Sequence, residues 1–267
     1  MSLQKHKIVV ITGASSGIGE ATANYLSSLG HHVYGLSRTR PNKETYTYIS
    51  CDVTDKSSIV QAIHEVITRE GRIDVLINNA GIGTSGAVEL STKADLSRSL
   101  DVNVVGLVET TQVVLPYLRE SKGMLLNLSS VAGILAIPFQ TYYSMTKAAV
   151  LSFSKALALE VKPLGVRVAC VLPGDTKTSF TKNRSQPAVL TNDVYRDRID
   201  RSLKKMERDE ENGVSPMNVA KVIHRVMGKK SPAIVNIVGF SYRFLVFLSR
   251  ILPTRLVQWI LYQMYAK

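Results

Sequence analysis

The chain has few of the residues that would make it a disulfide-stabilised or metal-binding protein. Its two cysteines, Cys51 and Cys170, each lie beside an apolar run, so we expect buried free thiols and a reducing compartment. Its five histidines show none of the spacings typical of metal ligands, and no metal site is predicted. An apolar secretory segment is also missing before the first predicted strand, which favours a cytoplasmic protein.

Acidic residues are outnumbered by basic ones, 21 against 33, and the net charge is +12. Such a surplus is typical of proteins that meet nucleic acid or an anionic membrane surface. The sequence has no zinc-finger or RNP-type pattern and no basic groove interleaved with aromatic residues, so nucleic acid is not an expected partner. A positive cleft would equally favour an anionic cofactor.

Internal repeats and low-complexity linkers are absent, so we expect a single domain over residues 1–267. Near-continuous apolar runs alternate with helical patterns, which is typical of a parallel sheet covered on both faces. The predicted fold is therefore α/β, a doubly wound Rossmann-like parallel sheet of about seven strands with helices on both faces. The predicted strands are 8–11, 32–36, 46–49, 73–77, 124–128, 166–172 and 233–238. The predicted helices are 17–29, 56–69, 94–120, 142–162 and 216–228, with only a turn at 41–44.

The segment TGASSGIG, residues 12–19, follows the first strand and opens the first helix. Gly13 can adopt a backbone conformation that turns the chain sharply off the strand. Gly17 and Gly19 allow a ligand or the sheet to approach closely, and the free N–H groups of the helix start can hold a pyrophosphate. The segment predicts a dinucleotide site, although three glycines alone fit equally well with a turn that binds nothing.

Polar or small residues follow the other strands at the same edge of the predicted sheet. They are Arg38, Asp52, the run 78–81, Ser129 with Ser130, and Pro173 with Gly174. Because ligands of such sheets bind at the carboxyl ends of the strands, one shared site is predicted there.

Tyr143 and Lys147 are four residues apart and share one face of a predicted helix, whereas Tyr142 is turned away from Lys147. A neighbouring ammonium lowers the pKa of a phenol, so Tyr143 could exchange a proton with an alcohol or carbonyl while a cofactor exchanges hydride. Taken alone, the pair fits equally well with packing on an ordinary amphipathic helix.

In combination, TGASSGIG, NNAG, the Ser-Ser strand end, YSMTK and the Pro-Gly after the sixth strand resemble the short-chain dehydrogenase/reductase family over residues 5–238. The resemblance implies that Tyr143 is the catalytic acid/base and that Lys147 binds the nicotinamide ribose. It also implies that Ser130 holds the substrate oxygen and that Asn103 supports a water linking the lysine to solvent. From the residues alone, Ser129 and Ser130 differ only in pointing to opposite sides of a strand, and Asn103 could be a helix-surface amide.

The resemblance further implies a row of cofactor contacts. The pyrophosphate loop would be Gly13, Ser15, Ser16, Ile18 and Gly19. The remaining contacts would be Asp52 and Val53 at the adenine, Asn79, Ala80 and Gly81 at the adenosine, and Tyr143, Lys147, Pro173, Gly174 and Thr178 at the nicotinamide side.

The second strand ends without the carboxylate that would hold a ribose with free hydroxyls. Ser37 stands there, followed by Arg38 and, close by, Arg40. A guanidinium suits a 2′-phosphate, so NADP(H) is favoured over NAD(H). The basic residue that NADP-preferring relatives often carry at the position of Ser16 is absent.

Two late segments are expected to shape the substrate side. Residues 175–213 are polar with mixed charge, and by the resemblance this region closes over the substrate. Residues 240–267 are apolar and aromatic, with only four charges, Arg243, Arg250, Arg255 and Lys267. The run is interrupted at Arg250, Pro253 and Arg255, too early for a spanning helix, and predicts two short amphipathic helices that split near Pro253. The tail either folds against the domain, which we favour, or lies peripherally on an anionic membrane surface.

The predicted function is an NADP(H)-dependent oxidoreductase that transfers hydride between nicotinamide and a carbonyl or alcohol. The apolar tail favours a lipophilic steroid-, retinoid- or fatty-acyl-like substrate. The alternatives are a non-catalytic NADP(H)-binding sensor or partner-binding module and, less favoured because such chains are longer, an epimerase or dehydratase. The resemblance implies a homodimer or homotetramer.

Overall fold

A seven-stranded parallel sheet forms the centre of the molecule. The computed structural model describes residues 6–41, 45–178 and 194–267. The strands are β1 (Ile8–Thr12), β2 (His32–Ser37), β3 (Thr47–Ser50), β4 (Val75–Asn78), β5 (Met124–Leu128), β6 (Arg167–Leu172) and β7 (Val235–Ile237), in the order β3-β2-β1-β4-β5-β6-β7. All six pairs of neighbouring strands are parallel. From β1 the chain first adds β2 and β3 towards one edge of the sheet and then adds β4 to β7 towards the other edge. The predicted doubly wound Rossmann-like fold is confirmed.

Nine α-helices connect or follow these strands in the described residues. They are α1 (Gly17–Ser28), α2 (Lys56–Glu70), α3 (Lys93–Leu100), α4 (Gly106–Ser121), α5 (Thr141–Glu160), α6 (Arg196–Glu211), α7 (Pro216–Met227), α8 (Phe240–Ile251) and α9 (Thr254–Tyr265). None of them combines the length and the apolar character needed to span a membrane.

The two faces of the sheet bury separate apolar cores. Along β1, Val10 packs on one face, whereas Val9 and Ile11 pack on the other, as the two-residue period of a strand requires. Helices α2, α4 and α5 cover the first face, and α1 and α7 cover the second. Both cysteines are buried free thiols, as predicted.

The predicted helix 94–120 is not continuous. A turn of π-helix, Asp101–Val105, separates α3 from α4. Its wider winding turns Asn103 inward, where the side chain is fully buried and bonds to the backbone of Ile82. A period of 3.6 residues cannot reveal such an interruption, because the apolar pattern continues through it.

The last predicted elements agree with the structure where it describes them. The C-terminal run forms two short helices, and Leu252 and Pro253 separate them. Within the segment 175–213, α6 forms a charged helix with one buried apolar face, whereas residues 179–193 lie outside the described residues. Most of the predicted turn at 41–44 also lies outside them.

Candidate active site

A cavity of about 870 Å³ lies at the carboxyl edge of the sheet, where the fold predicts a ligand site. Residues that follow β1 to β6 line it, and side chains from α6, α8 and α9 complete it. Every residue predicted for catalysis or cofactor binding lines this cavity, apart from Gly19 and Asn103. Those two lie directly behind the lining.

The glycine loop is shaped for close approach. Gly13 has a φ of +66°, and a Cβ there would lie 2.8 Å from Ala80 Cα, closer than packed atoms allow. Gly19 is buried, and its Cβ would lie 2.2 Å from the Gly13 carbonyl oxygen. Gly19 therefore permits the loop to close on itself, which explains why it sits behind the cavity.

The N-terminus of α1 offers its backbone N–H groups to the cavity. Ser16 occupies the N-cap position but its side chain makes no capping hydrogen bond, so the donors of the first turn stay available. Ser15, Ser16, Gly17 and Ile18 all line the cavity beside these donors. The site thus fits the pyrophosphate of a dinucleotide.

Asn79 holds the loop from the neighbouring strand end. Its side-chain Nδ2 donates to the carbonyl oxygens of Thr12 and Gly13, both at 3.0 Å. The Thr12 hydroxyl in turn accepts from the backbone N–H groups of Asn79 and Ala80 at 3.0 and 3.1 Å. The residues after β1 and β4 therefore form one rigid cradle.

The cavity also has a basic edge. Arg38 and Arg40 follow β2, are exposed, and both line the cavity. The Arg40 guanidinium lies 5.9 Å from the centre of the Tyr48 ring, a stacking distance for a cation on an aromatic face. Asp52, which also lines the cavity, accepts two hydrogen bonds from Thr54 at 2.8 and 2.9 Å.

Tyr143 and Lys147 lie together on α5, as their spacing predicts. The Lys147 Nζ is 5.7 Å from the centre of the Tyr143 ring. The lysine is only 5% exposed, and burial lowers its pKa to about 8. Among the described residues its ammonium donates to the Leu128 carbonyl oxygen at 3.0 Å, which leaves further N–H donors for a ligand.

The structure distinguishes the two serines after β5. The Ser129 side chain is buried, and its hydroxyl donates to the Lys147 carbonyl oxygen at 2.7 Å. Ser130 is half-buried, its Oγ accepts from the Ala132 N–H at 3.1 Å, and it begins a 3₁₀ turn (Val131–Gly133). Ser129 thus fastens α5 to the sheet, while the Ser130 hydroxyl lies at the cavity wall.

Asn103 approaches the lysine from behind. Its Oδ1 accepts from the Ile82 N–H at 2.8 Å, and its Nδ2 donates to the Ile82 carbonyl oxygen and to Thr146 Oγ1 at 3.0 and 3.1 Å. A Cβ placed on Gly81 would lie 3.2 Å from Asn103 Oδ1 and 3.3 Å from Lys147 Nζ. Asn103 is thus no helix-surface amide, whereas its proposed link to a water stays a prediction.

The sequence did not indicate which side chains of the C-terminal tail line the cavity. Apolar residues of α8, of α9 and of the turn between them line it, namely Leu245, Leu248, Leu252, Val257, Ile260, Leu261 and Met264. The apolar composition of 240–267 was the available signal, but it does not say which face of each helix turns inward.

One tyrosine joins the two sides of the cavity. The Tyr242 hydroxyl donates to the Asp175 carboxylate and accepts from the Asp175 N–H at 3.1 Å. Its ring packs so tightly on Gly174 that a Cβ there would lie 2.3 Å from it. Asp175, the first residue of the polar run after Pro173–Gly174, therefore has a structural role, because it anchors α8.

These features define a Rossmann-fold nucleotide site with a tyrosine, a lysine and a serine beside it. The chain matches the model of the short chain dehydrogenase family over residues 7–188, and it belongs to that family. It is an oxidoreductase acting on CH–OH or C=O groups, so the alternative of a non-catalytic nucleotide sensor is not supported.

Two relatives match almost the whole chain. A 3-ketodihydrosphingosine reductase of Bacteroides thetaiotaomicron is 41% identical over 265 residues, 97% of this chain and 98% of that protein. A short-chain dehydrogenase from Streptomyces avermitilis superposes with a TM-score of 0.82 at 29% identity and covers 97% of both chains.

The fold accommodates either dinucleotide. A short-chain dehydrogenase/reductase from Burkholderia phymatum, solved with NAD, has a TM-score of 0.82 at 21% identity and covers 94% of this chain and 95% of its own. One from Burkholderia cenocepacia, solved with NADP, has a TM-score of 0.76 at 20% identity and covers 96% and 98%. The fold alone therefore does not decide the cofactor.

Proposed function

We propose that this chain is an NADP(H)-dependent reductase of long-chain keto lipids. The observation that carries the substrate class is the row of apolar side chains from α8 and α9 that lines the same cavity as Tyr143, Lys147 and Ser130. An acyl chain gains roughly 0.8 kcal/mol for each methylene that such a surface removes from water. The similarity to a 3-ketodihydrosphingosine reductase supports the same class.

The proposed roles of the site residues follow from their surroundings. A bound nicotinamide dinucleotide supplies the hydride. The Tyr143 hydroxyl donates its proton to the oxygen of the substrate carbonyl, and the adjacent Lys147 ammonium stabilises the phenolate that remains. The Ser130 hydroxyl, which donates to the Pro173 carbonyl oxygen at a long 3.4 Å, would turn to donate its hydrogen bond to the same substrate oxygen. The remaining N–H donors of Lys147 would hold the ribose hydroxyls of the cofactor.

The remaining cofactor contacts are proposed along the strand ends. The α1 N-terminus would hold the pyrophosphate. Asp52 and Val53 would lie at the adenine, Asn79, Ala80 and Gly81 at the adenosine, and Pro173, Gly174 and Thr178 at the nicotinamide carboxamide.

The substrate proposal is tested with a panel of 3-keto compounds that share a headgroup and differ in chain length, 3-ketodihydrosphingosine among them. NADPH consumption is followed by absorbance of the reduced cofactor. We expect kcat/KM to rise with chain length because each methylene adds apolar contact. Equal kcat/KM for short polar ketones and long-chain ketones would contradict the proposal.

The cofactor proposal depends on the guanidinium at the end of β2. Arg38→Asp removes a charged donor and places a carboxylate where a 2′-phosphate would lie, so we expect the kcat/KM ratio of NADPH to NADH to fall by about tenfold or more. Arg119→Asp, an exposed change on α4 away from the cavity, is the control. A wild-type enzyme that prefers NADH would overturn the assignment.

A further inference from the structure

The C-terminal helix pair, residues 240–265, carries apolar side chains on two faces of each helix. On α8 the inward-facing residues Leu245 and Leu248 line the cavity, and so does Leu252 directly after the helix. A second stripe at spacings of four, three and four residues comprises Phe240, Phe244, Phe247 and Ile251, which are 85, 53, 58 and 63% exposed. A helix that only covers a core has a polar outer face, so this outer stripe has another use.

Helix α9 repeats the arrangement. Val257 and Leu261 face the cavity, whereas Leu256 and Trp259 are 41 and 58% exposed. Six exposed apolar residues of the two helices that do not line the cavity, Phe240, Phe244, Phe247, Ile251, Leu256 and Trp259, are called the outer patch. Exposed apolar surface rich in aromatic residues is typical of a binding surface.

The charges carried by residues 240–267 themselves are all of one sign. Residues 240–267 contain Arg243, Arg250, Arg255 and Lys267 and no acidic residue. All four basic residues are exposed. An apolar helix surface bordered by arginine and tryptophan matches the interface of an anionic bilayer. A second copy suits it less, because a two-fold contact would bring these cations against their own equivalents.

The exposure of three cavity-lining residues indicates where the cavity opens. Leu245, Ile260 and Met264 line the cavity, yet they are 46, 37 and 44% exposed. These three side chains therefore belong to both the cavity wall and the outer surface. An apolar ligand could pass between them without leaving apolar surroundings.

The helix pair is fixed to the domain at several points. Tyr242 bonds to Asp175, the Arg198 Nε donates to the Ala266 carbonyl oxygen at 2.8 Å, and Val246 is buried. A surface that holds the outer patch would therefore also fix the orientation of the cavity.

We propose that the outer patch docks this protein on an anionic lipid surface, with the cavity mouth at Leu245, Ile260 and Met264 facing the acyl chains. Aromatic and aliphatic side chains enter the boundary between headgroups and chains, and the four cations meet the anionic headgroups. The entry of a lipid substrate through this mouth rests on the proposed function, whereas the docking itself does not.

Trp259 can serve as a fluorescence probe of docking, because it is the only tryptophan and lies in the outer patch. The wild-type protein, without substrate or cofactor, is mixed with phosphatidylcholine vesicles that contain or lack phosphatidylglycerol. We expect a blue shift of the emission and quenching by brominated acyl chains with the anionic vesicles, both reduced by added salt. An unchanged spectrum, or quenching by aqueous iodide alone, would overturn the proposal.

A matched pair of variants locates the surface. Phe244→Glu combined with Phe247→Glu changes two exposed side chains that do not line the cavity, and we expect co-sedimentation with anionic vesicles to fall at least about tenfold. Leu159→Glu, at a position on α5 that is 73% exposed, should bind like wild type. Thermal melting and turnover of a short water-soluble ketone should match wild type for both. Equal vesicle binding by both, or loss of a dimer in place of vesicle binding, would contradict the docking.

Discussion

The two walls of the cavity are built on different principles. The strand-end wall consists of the residues that follow β1 to β6, and hydrogen bonds fix its side chains and loops. The helical wall consists of the cavity-facing residues of α6, α8 and α9, and most of its contacts are apolar. The first can hold a proton donor and a charge in fixed positions. The second selects ligands by area and shape.

The contrast extends to the two parts of the helical wall. Helix α6 buries Ile199, Leu203 and Met206 and turns charges of both signs outward, as expected for a helix between core and water. The C-terminal helix pair turns aromatic side chains outward instead. Helix α6 and the C-terminal helix pair thus have similar apolar inward faces but opposite outward faces. Lining the cavity therefore does not explain why the outward face of the pair is apolar.

The sharpest test of the strand-end wall is the hydroxyl of Tyr143. Tyr143→Phe keeps the ring and removes the proton donor, so we expect kcat to fall about 10²–10⁴-fold with little change in cofactor affinity. Steady-state kinetics and cofactor fluorescence titration measure the two quantities. Tyr142→Phe, the adjacent residue on α5, should keep wild-type turnover. Equal losses in the two variants would show that the proton comes from elsewhere.

Replacing Lys147 should lower the activity of the enzyme and raise its stability. Its ammonium is buried, and burial lowers its pKa to about 8, so the charge opposes folding of the cofactor-free protein. Lys147→Met should reduce kcat/KM about 100-fold or more, yet raise the free energy of unfolding by on the order of 1–3 kcal/mol. Calorimetry of the cofactor-free protein measures the second effect as a higher Tm. A lower Tm would show that the amine stabilises the fold.

The lowered pKa of Lys147 fixes the direction in which its contribution to stability changes with pH. The folded pKa of about 8 lies below the unfolded value of 10.5, so between these values the unfolded chain binds more protons. The contribution of this group to stability therefore rises with pH across that window. We expect the stability difference between Lys147→Met and wild type to narrow from pH 8 to pH 10.5, while wild-type kcat/KM falls. A stability difference that stays constant between pH 8 and pH 10.5 would contradict the lowered pKa of Lys147.

The sequence predicts the hydrogen-bonded strand-end wall in more detail than the apolar helical wall. Gly13 is predictable because a turn off the strand demands glycine there, and the pairing of Tyr143 with Lys147 is predictable because residues four apart share a helix face. The inward turn of Asn103 depends on a π-helical interruption that leaves no apolar signature. The choice of Ser130 over Ser129 depends on the tertiary bond between Ser129 and Lys147. For Leu248 or Leu261, many apolar residues would serve, so composition predicts the tail but not its inward face.

A polar change in the helical wall should act on binding rather than on chemistry. Leu248→Asn places an amide among apolar residues that line the cavity. We expect KM for a long-chain ketone to rise about 5–20-fold with kcat nearly unchanged, since the lost contacts are the same in the ground and transition states. A short-chain ketone that does not reach the helical wall is the internal control. A fall in kcat for both substrates would mean that the two walls are not separable.

Tyr242 tests whether the walls are joined at one point. Burial and the neighbouring Asp175 carboxylate raise its pKa, so the hydroxyl stays protonated and donates to that carboxylate. Tyr242→Phe removes this bond and leaves the ring on Gly174, and we expect a loss of about 1 kcal/mol, or roughly 2–4 °C in Tm. Tyr262→Phe, on an exposed part of α9, is the control. Because Asp175 follows the Pro173–Gly174 segment proposed to hold the nicotinamide carboxamide, cofactor KM should also rise by a small factor. If Tm falls while cofactor KM stays constant, α8 holds the helical wall in place without influencing the strand-end wall.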